Sequence, residues 1–157
     1  MPTTLRRTGP SACLSSAEVS WFGVPAEDLP LWWPAARSFI EQALDQGNGE
    51  FSAADIEMAL QSRAMQLWLM RGGQGVAVRG ALVTEIANYP RKKTAILRLF
   101  AADEGLRAAW RPLLAVVETW ARAQGCDGIE VFGRPGWTRI LDYELTQVVL
   151  RKELKHE

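Results

Sequence analysis

Residues 96–114, ILRLFAADEGLRAAWRPLL, read as a strand, a loop and a helix. A loop in this position can hold a phosphate, because the free backbone N–H groups and the dipole of the helix N-terminus favour an anion. The residues placed to do so are Gly105, Leu106 and Arg107, the last being the nearest cation. Asp103 and Glu104 stand beside them. Close backbone approach to a phosphate favours residues without a Cβ, and Gly105 is the loop's one glycine. A carboxylate about 4 Å from a phosphate charge costs about 1 kcal/mol in water and several times more when partly buried. The loop therefore has the position of a phosphate cradle but an acidic, bulky version of its chemistry.

Other reactive side chains are few. Arg134 closes a predicted strand, where a guanidinium can meet a phosphate or carboxylate, and Trp137 can stack on a ligand or partner or anchor a short helix. Cys126 has no histidine near it in sequence and reads as a small buried hydrophobe. The one histidine is His156, almost the last residue, which argues against a Ser-His-Asp hydrolase or a zinc hydrolase. Cys13 and Cys126 are far apart, so neither a disulfide scaffold nor metal-ligand spacing is present.

The 157 residues suit one domain with a sizeable core. Eighteen basic and eighteen acidic residues cancel, so nothing in the charge balance calls for nucleic acid or an anionic membrane. No apolar run reaches the roughly 20 residues of a membrane span, and no apolar leader follows Met1. Seven tryptophans stand out: Trp21, Trp32, Trp33, Trp68, Trp110, Trp120 and Trp137. Their size places most of them in the core, and a surplus would furnish an aromatic contact surface.

Residues 1–20 are polar and aperiodic and read as an N-terminal arm, with a single domain over 21–157. Trp32, Ala36, Phe39, Ile40, Ala43 and Leu44 recur at helical spacing. Pro34 is acceptable only in a first turn, which predicts a helix starting near Leu31 to Trp33 and ending at Gly47, Asn48 and Gly49. Ser52 with Asp55 predicts a capping box for a second helix. The period then changes to strands over 65–71, 76–87, with Gly80 a candidate bulge, and 94–101, joined by short turns into a meander. A long amphipathic helix follows to about Gln124, with Pro112 near its first turn and Gly125 closing it. Then come a strand near 127–132, a short helix and a last strand, LTQVVLRKEL. A strand–helix–strand crossover makes the two flanking strands parallel. The fold class is α+β: a mixed, mostly antiparallel sheet with one parallel crossover pair and helices on both faces.

This order resembles the GNAT family, the GCN5-related N-acetyltransferases, over about residues 20–155. It looks closest to the short GNAT-like proteins of tailed phages and prophages, through MQLWLMRGGQGVAVRGALVTEIANYPRKK, LLAVVETWARAQGCDGIEVFGRPGW and VVLRKEL. The resemblance implies an acetyl-CoA loop of the type Gln/Arg-x-x-Gly-x-Gly/Ala after the fourth strand, and AADEGLRAAW departs from it. It also implies a base and an acid for acetyl transfer. Glu85, at a strand end, is the candidate base, unless it simply pairs with Arg91 or Lys92; Tyr143 stands where the family places a tyrosine acid, unless it is a packing ring. Glu130 alternates with apolar neighbours and reads as facing outward. The family fold finishes on a two-strand hairpin, whereas one strand fits after Tyr143 here.

Two readings follow. The degenerate loop, the tryptophans and the arm point to a GNAT fold kept as a non-catalytic accessory or structural protein. Such a protein needs no cofactor and contacts other protein chains, phage structural proteins among them, in the host cytoplasm or in a phage-like particle. The alternative is an acetyl-CoA-dependent N-acetyltransferase acting on an amine. Fold alone does not choose between them.

Overall fold

The computed structural model describes residues 19–72, 77–106, 110–133 and 135–156. Among these residues eight strands and α-helices form one sheet with helices on both faces: β1 (Val19–Val24), α1 (Leu29–Asp45), α2 (Ala53–Gln61), β2 (Met65–Gly72), β3 (Val78–Asn88), β4 (Lys93–Ala102), α3 (Trp110–Ala123) and β5 (Gly128–Val131). The strands lie in chain order, β1-β2-β3-β4-β5. All neighbours are antiparallel except β4 and β5, which run parallel from Thr94 opposite Gly128 to Leu97 opposite Val131. The expected sheet and its crossover are therefore present.

Side-chain alternation splits the core in two. Leu67, Leu69, Ala81 and Val83 face α1 and α2, where Leu29, Trp33, Ala36, Ile40, Ile56 and Leu60 meet them. Trp68, Met70, Leu82 and Leu97 face α3 and its Trp110, Leu113, Leu114 and Val117. The 3.6-residue stripe of α3 and the period-2 stripes of the strands meet there, and the buried Thr84 hydroxyl on that face accepts from Trp68 Nε1.

Local signals explain most element ends. The Ser52 side chain accepts from Asp55 N, and the Asp55 carboxylate accepts from Ser52 N at 2.8 Å, a complete capping box. Gly125, at φ 76°, ends α3: its N–H donates to Arg122 O (3.0 Å) and Cys126 N–H to Ala121 O (2.9 Å). The β2–β3 ladder skips Arg79 beside Gly80, so the suspected bulge is real.

Four expectations need correction. A strand, β1, begins at Val19, where the arm was expected to run on to residue 20. Its six residues gain their stability from pairing with β2, which no local pattern reveals. Helix α1 begins at Leu29, after a 3-10 turn at Ala26–Asp28, so Pro34 lies beyond the first turn. Loss of one backbone bond there is offset by burial of Leu29, Trp33, Ala36 and Ile40 along one stripe. The strand expected in LTQVVLRKEL does not form: residues 142–156 have no regular structure, and Val148, Val149 and Leu150 are exposed. β propensity alone does not make a strand without a ladder partner. Finally, no tryptophan is exposed; Trp21, Trp33, Trp68 and Trp110 are buried and Trp32, Trp120 and Trp137 half-buried. The rings form edge-on and tilted pairs within the core rather than a contact surface.

Candidate functional site

The irregularity that shapes the site lies in β4. Val83 pairs with Leu99 and Thr84 with Leu97, so Arg98 is an extra residue without a partner on β3. The bulge turns the side-chain alternation: Leu97 and Phe100 share the α3 face, while Leu99 packs toward α1. At the same level β5 stops, its last paired residue being Val131 opposite Leu97. Beyond that fork, residues 98–102 of β4 have no second strand beside them among the described residues. A backbone edge is left open, leading directly into the loop before α3.

At the fork sits Arg98. Its guanidinium donates to Glu85 Oε1 at 2.6 Å and lies 5.0 Å over the Phe132 ring, while its Nε is buried without a partner. Glu85 is thus paired with Arg98, not with the hairpin cations; Lys92 instead reaches Glu130 at 3.3 Å, which accounts for that carboxylate. The pairing was invisible in sequence because the bulge, not strand spacing, aims Arg98.

The loop after β4 is better neutralised than its composition suggests. Asp103 turns toward β3: Arg79 Nε donates to its carboxylate at 2.6 Å, and Asp103 N–H donates to Arg79 O at 2.9 Å. Arg79 is the bulged residue of β3, so one bulge supplies the cation that engages the loop's first acid. Glu104 is exposed, Gly105 takes φ 83°, and Leu106 is buried against the core with its N–H on Asp103 O. The positive φ accounts for glycine at 105. Arg107 lies outside the described residues, as does Arg134.

Tyr143 follows the 3-10 turn Pro135–Arg139 and packs on the α3 face, where its hydroxyl is buried beside the Glu118 carboxylate. Burial, aided by the Glu118 charge, pushes its pKa up to about 12. Trp137 stands edge-on to Trp110 at 4.8 Å, and Trp110 lies 3.4 Å from Phe100, centroid to centroid. A Cβ on Gly133 would fall 2.5 Å from the Trp137 ring, so Trp137 is seated on that glycine and anchors the turn. Cys126 is a half-buried free thiol. Among the described residues no group of His, Cys, Asp and Glu is arranged to hold a metal, and no helix is long and apolar enough to cross a membrane. Two concavities, of about 390 and 460 Å³, lie elsewhere, one between β1, β2 and α2 and the other at the α1–α2 connection.

No protein-family model matches the sequence, and no curated protein sequence matches it. Solved structures do match the fold. An aminoglycoside acetyltransferase from an uncultured soil metagenomic sample, in complex with sisomicin, superposes with a TM-score of 0.67 at 13% identity, covering 88% of this chain and 98% of that one. Aminoglycoside N-acetyltransferase AAC(6')-Iy in complex with CoA gives a TM-score of 0.62 at 16% identity over 86% of this chain and 94% of that one. A ribosomal-protein-alanine N-acetyltransferase from Brucella melitensis gives 0.59 at 15% identity over 86% and 99%. Nothing in these matches ties the chain to phage proteins. What they and the sheet topology establish together is the fold: this chain folds as GNAT acetyltransferases do.

Proposed function

We propose that the protein transfers an acetyl group from acetyl-CoA to an amine. The observation that carries this reading is the fork: β4 bulges at Arg98, β5 parts from it, and the open edge of residues 98–102 runs into a tight turn ahead of α3. Coenzyme A pairs an extended, amide-bearing arm with a diphosphate. An unpaired strand edge can take the first, and backbone N–H groups at a turn and helix start the second. The acidic loop does not spoil the fit, because Arg79 engages Asp103 and Glu104 points to solvent. Residues 98–102 would hold the arm, and the Gly105 N–H and the start of α3 the diphosphate, Leu106 shaping the turn through its N–H on Asp103 O. The cofactor, when bound, supplies an acetyl thioester.

The chain's own groups divide the remaining work. Glu85, held by Arg98 at the fork, is the proton acceptor for the incoming ammonium. Tyr143, on the α3 face, is the candidate proton donor for the departing thiolate, a role that requires its buried hydroxyl to be uncovered by the bound substrate. Aminoglycosides, polyamines and peptide N-termini form the first panel of acceptors.

Calorimetry with CoA tests the reading, followed by thiol release from acetyl-CoA across that panel. Binding should appear below millimolar CoA, and Glu85→Gln should lower turnover by about a hundredfold with binding intact. No heat and no thermal shift at millimolar CoA would refute it. That result would favour a fold kept as a scaffold without chemistry, for which the packed Phe100, Trp110 and Trp137 rings beside the open edge speak.

A further inference from the structure

Arg71 is a half-buried cation without a counter-ion among the described residues. It stands in β2 opposite Ser20 of β1. Its guanidinium reaches along β1 to lie 4.5 Å over the Phe22 ring and 4.9 Å over that of Trp32, two rings packed edge-on at 5.2 Å. Its Nε is buried without a partner. Stacking on aromatic faces holds a guanidinium flat and leaves its in-plane donors for a carboxylate. Beneath this cation runs a free sheet edge. β1 is the outermost strand, no described strand lies beyond it, and VSWFGV carries none of the charges or prolines that blunt an edge. Ser20 and Gly23 are exposed on it.

We propose that the outer edge of β1 takes an extended, acidic peptide segment of another protein, its backbone extending the ladder and one carboxylate meeting Arg71. Alternation sets the pattern it must carry. Phe22 and Val24 face α1, whereas Val19 and Trp21 face α3. A residue added opposite Phe22 shares its face, with Cβ atoms about 5 Å apart, so a Glu or Asp there reaches the guanidinium. Its two neighbours point to the α3 side, one beside Trp21 and one across Gly23, where a Cβ on the glycine would lie 3.5 Å from the Trp68 ring. Apolar, β-branched residues suit both places. The recognised sequence is thus apolar, acidic, apolar. The same cation argues against a second copy of this chain. A two-fold axis that pairs β1 with itself keeps both α1 faces on one side, and every register that pairs most of the strand brings two Arg71 guanidiniums near each other. The proposal is independent of acetyl transfer.

Amide NMR spectra of the full chain, titrated with the blocked peptide acetyl-Thr-Val-Glu-Val-Thr-amide and with its twin carrying Gln for Glu, test it. Shifts are expected in the β1 amides and the Trp32 indole, saturating below millimolar peptide, with affinity about tenfold weaker for the Gln peptide. Arg71→Gln should erase that difference between the two peptides. The peptide swap leaves the protein untouched, so the comparison stands even where the variant folds poorly. No saturable shift at millimolar peptide, equal affinity for the two peptides, or shifts centred on another strand overturns the proposal. So does tighter peptide binding by Glu18→Gln, which would mean that the carboxylate of Glu18, outside the described residues, already holds Arg71.

Discussion

Thr84→Val tests how the sheet is held at the bulge. Thr84 lies in β3 opposite Leu97, at the step where the β3–β4 register shifts, and is fully buried. Its hydroxyl accepts from Trp68 Nε1 at 3.0 Å and donates to Gln66 Oε1 at 3.1 Å, joining β2 to β3 beneath α3. Valine matches threonine in shape, so the substitution deletes two hydrogen bonds and opens no cavity. The two losses are unequal. The Trp68 N–H, on a ring only 6% exposed, is stranded in the core at a cost of about 1–3 kcal/mol. Gln66 is half-buried and can turn toward water, adding about 0.5 kcal/mol. The total of about 1.5–3.5 kcal/mol corresponds to a fall in melting temperature of about 3–14 °C for a chain of this size. Urea titration of the single variants and of Thr84→Val with Trp68→Phe isolates the pair. Without the indole donor, Thr84→Val should cost only the glutamine's share, a coupling of about 1–3 kcal/mol. A Thr84→Val protein within 0.5 kcal/mol of wild type on the scale of ordinary neutral substitutions, or strict additivity in the double variant, would refute the view that this buried chain of hydrogen bonds pins the sheet.

Other perturbations give further checks. Gly80→Ala places a Cβ 2.8 Å from Met70 Cε and 3.1 Å from Ala101 O; the flexible Met70 can yield but the carbonyl cannot, so a loss of about 1–3 kcal/mol is expected in thermal or urea melts. The Tyr143 phenol has a folded-state pKa raised above its unfolded value, so its contribution is fully present below pH 10 and is lost as pH rises toward 12; alkaline melts of Tyr143→Phe should decline less over that window. Asp55 is shifted the other way by its bonds from the Ser52 backbone and side chain. Its contribution to α2 is present above the usual aspartate range and lost as pH falls through its depressed pKa. Acid melts of Asp55→Asn should therefore start less stable and be flatter there.

Much of this structure was readable from neighbours along the chain. The Ser52–Asp55 box, the Gly125 terminus, the apolar stripe of α3 and the parallel crossover follow from patterns a few residues long, and all are present. What depended on partners distant in sequence was not readable. β1 is a strand because β2 lies beside it, and LTQVVLRKEL is not one because it pairs with no strand among the described residues. The same holds for the candidate site. Sequence named Glu85, Tyr143 and the Gly105 turn as residues of interest. The Arg98 bulge selected Glu85's partner, and the Arg79 bulge brought a cation to Asp103 across twenty-four positions. A carboxylate's effect depends on which charge it faces, and that is decided by strand register, a property of the assembled sheet and not of any segment in it.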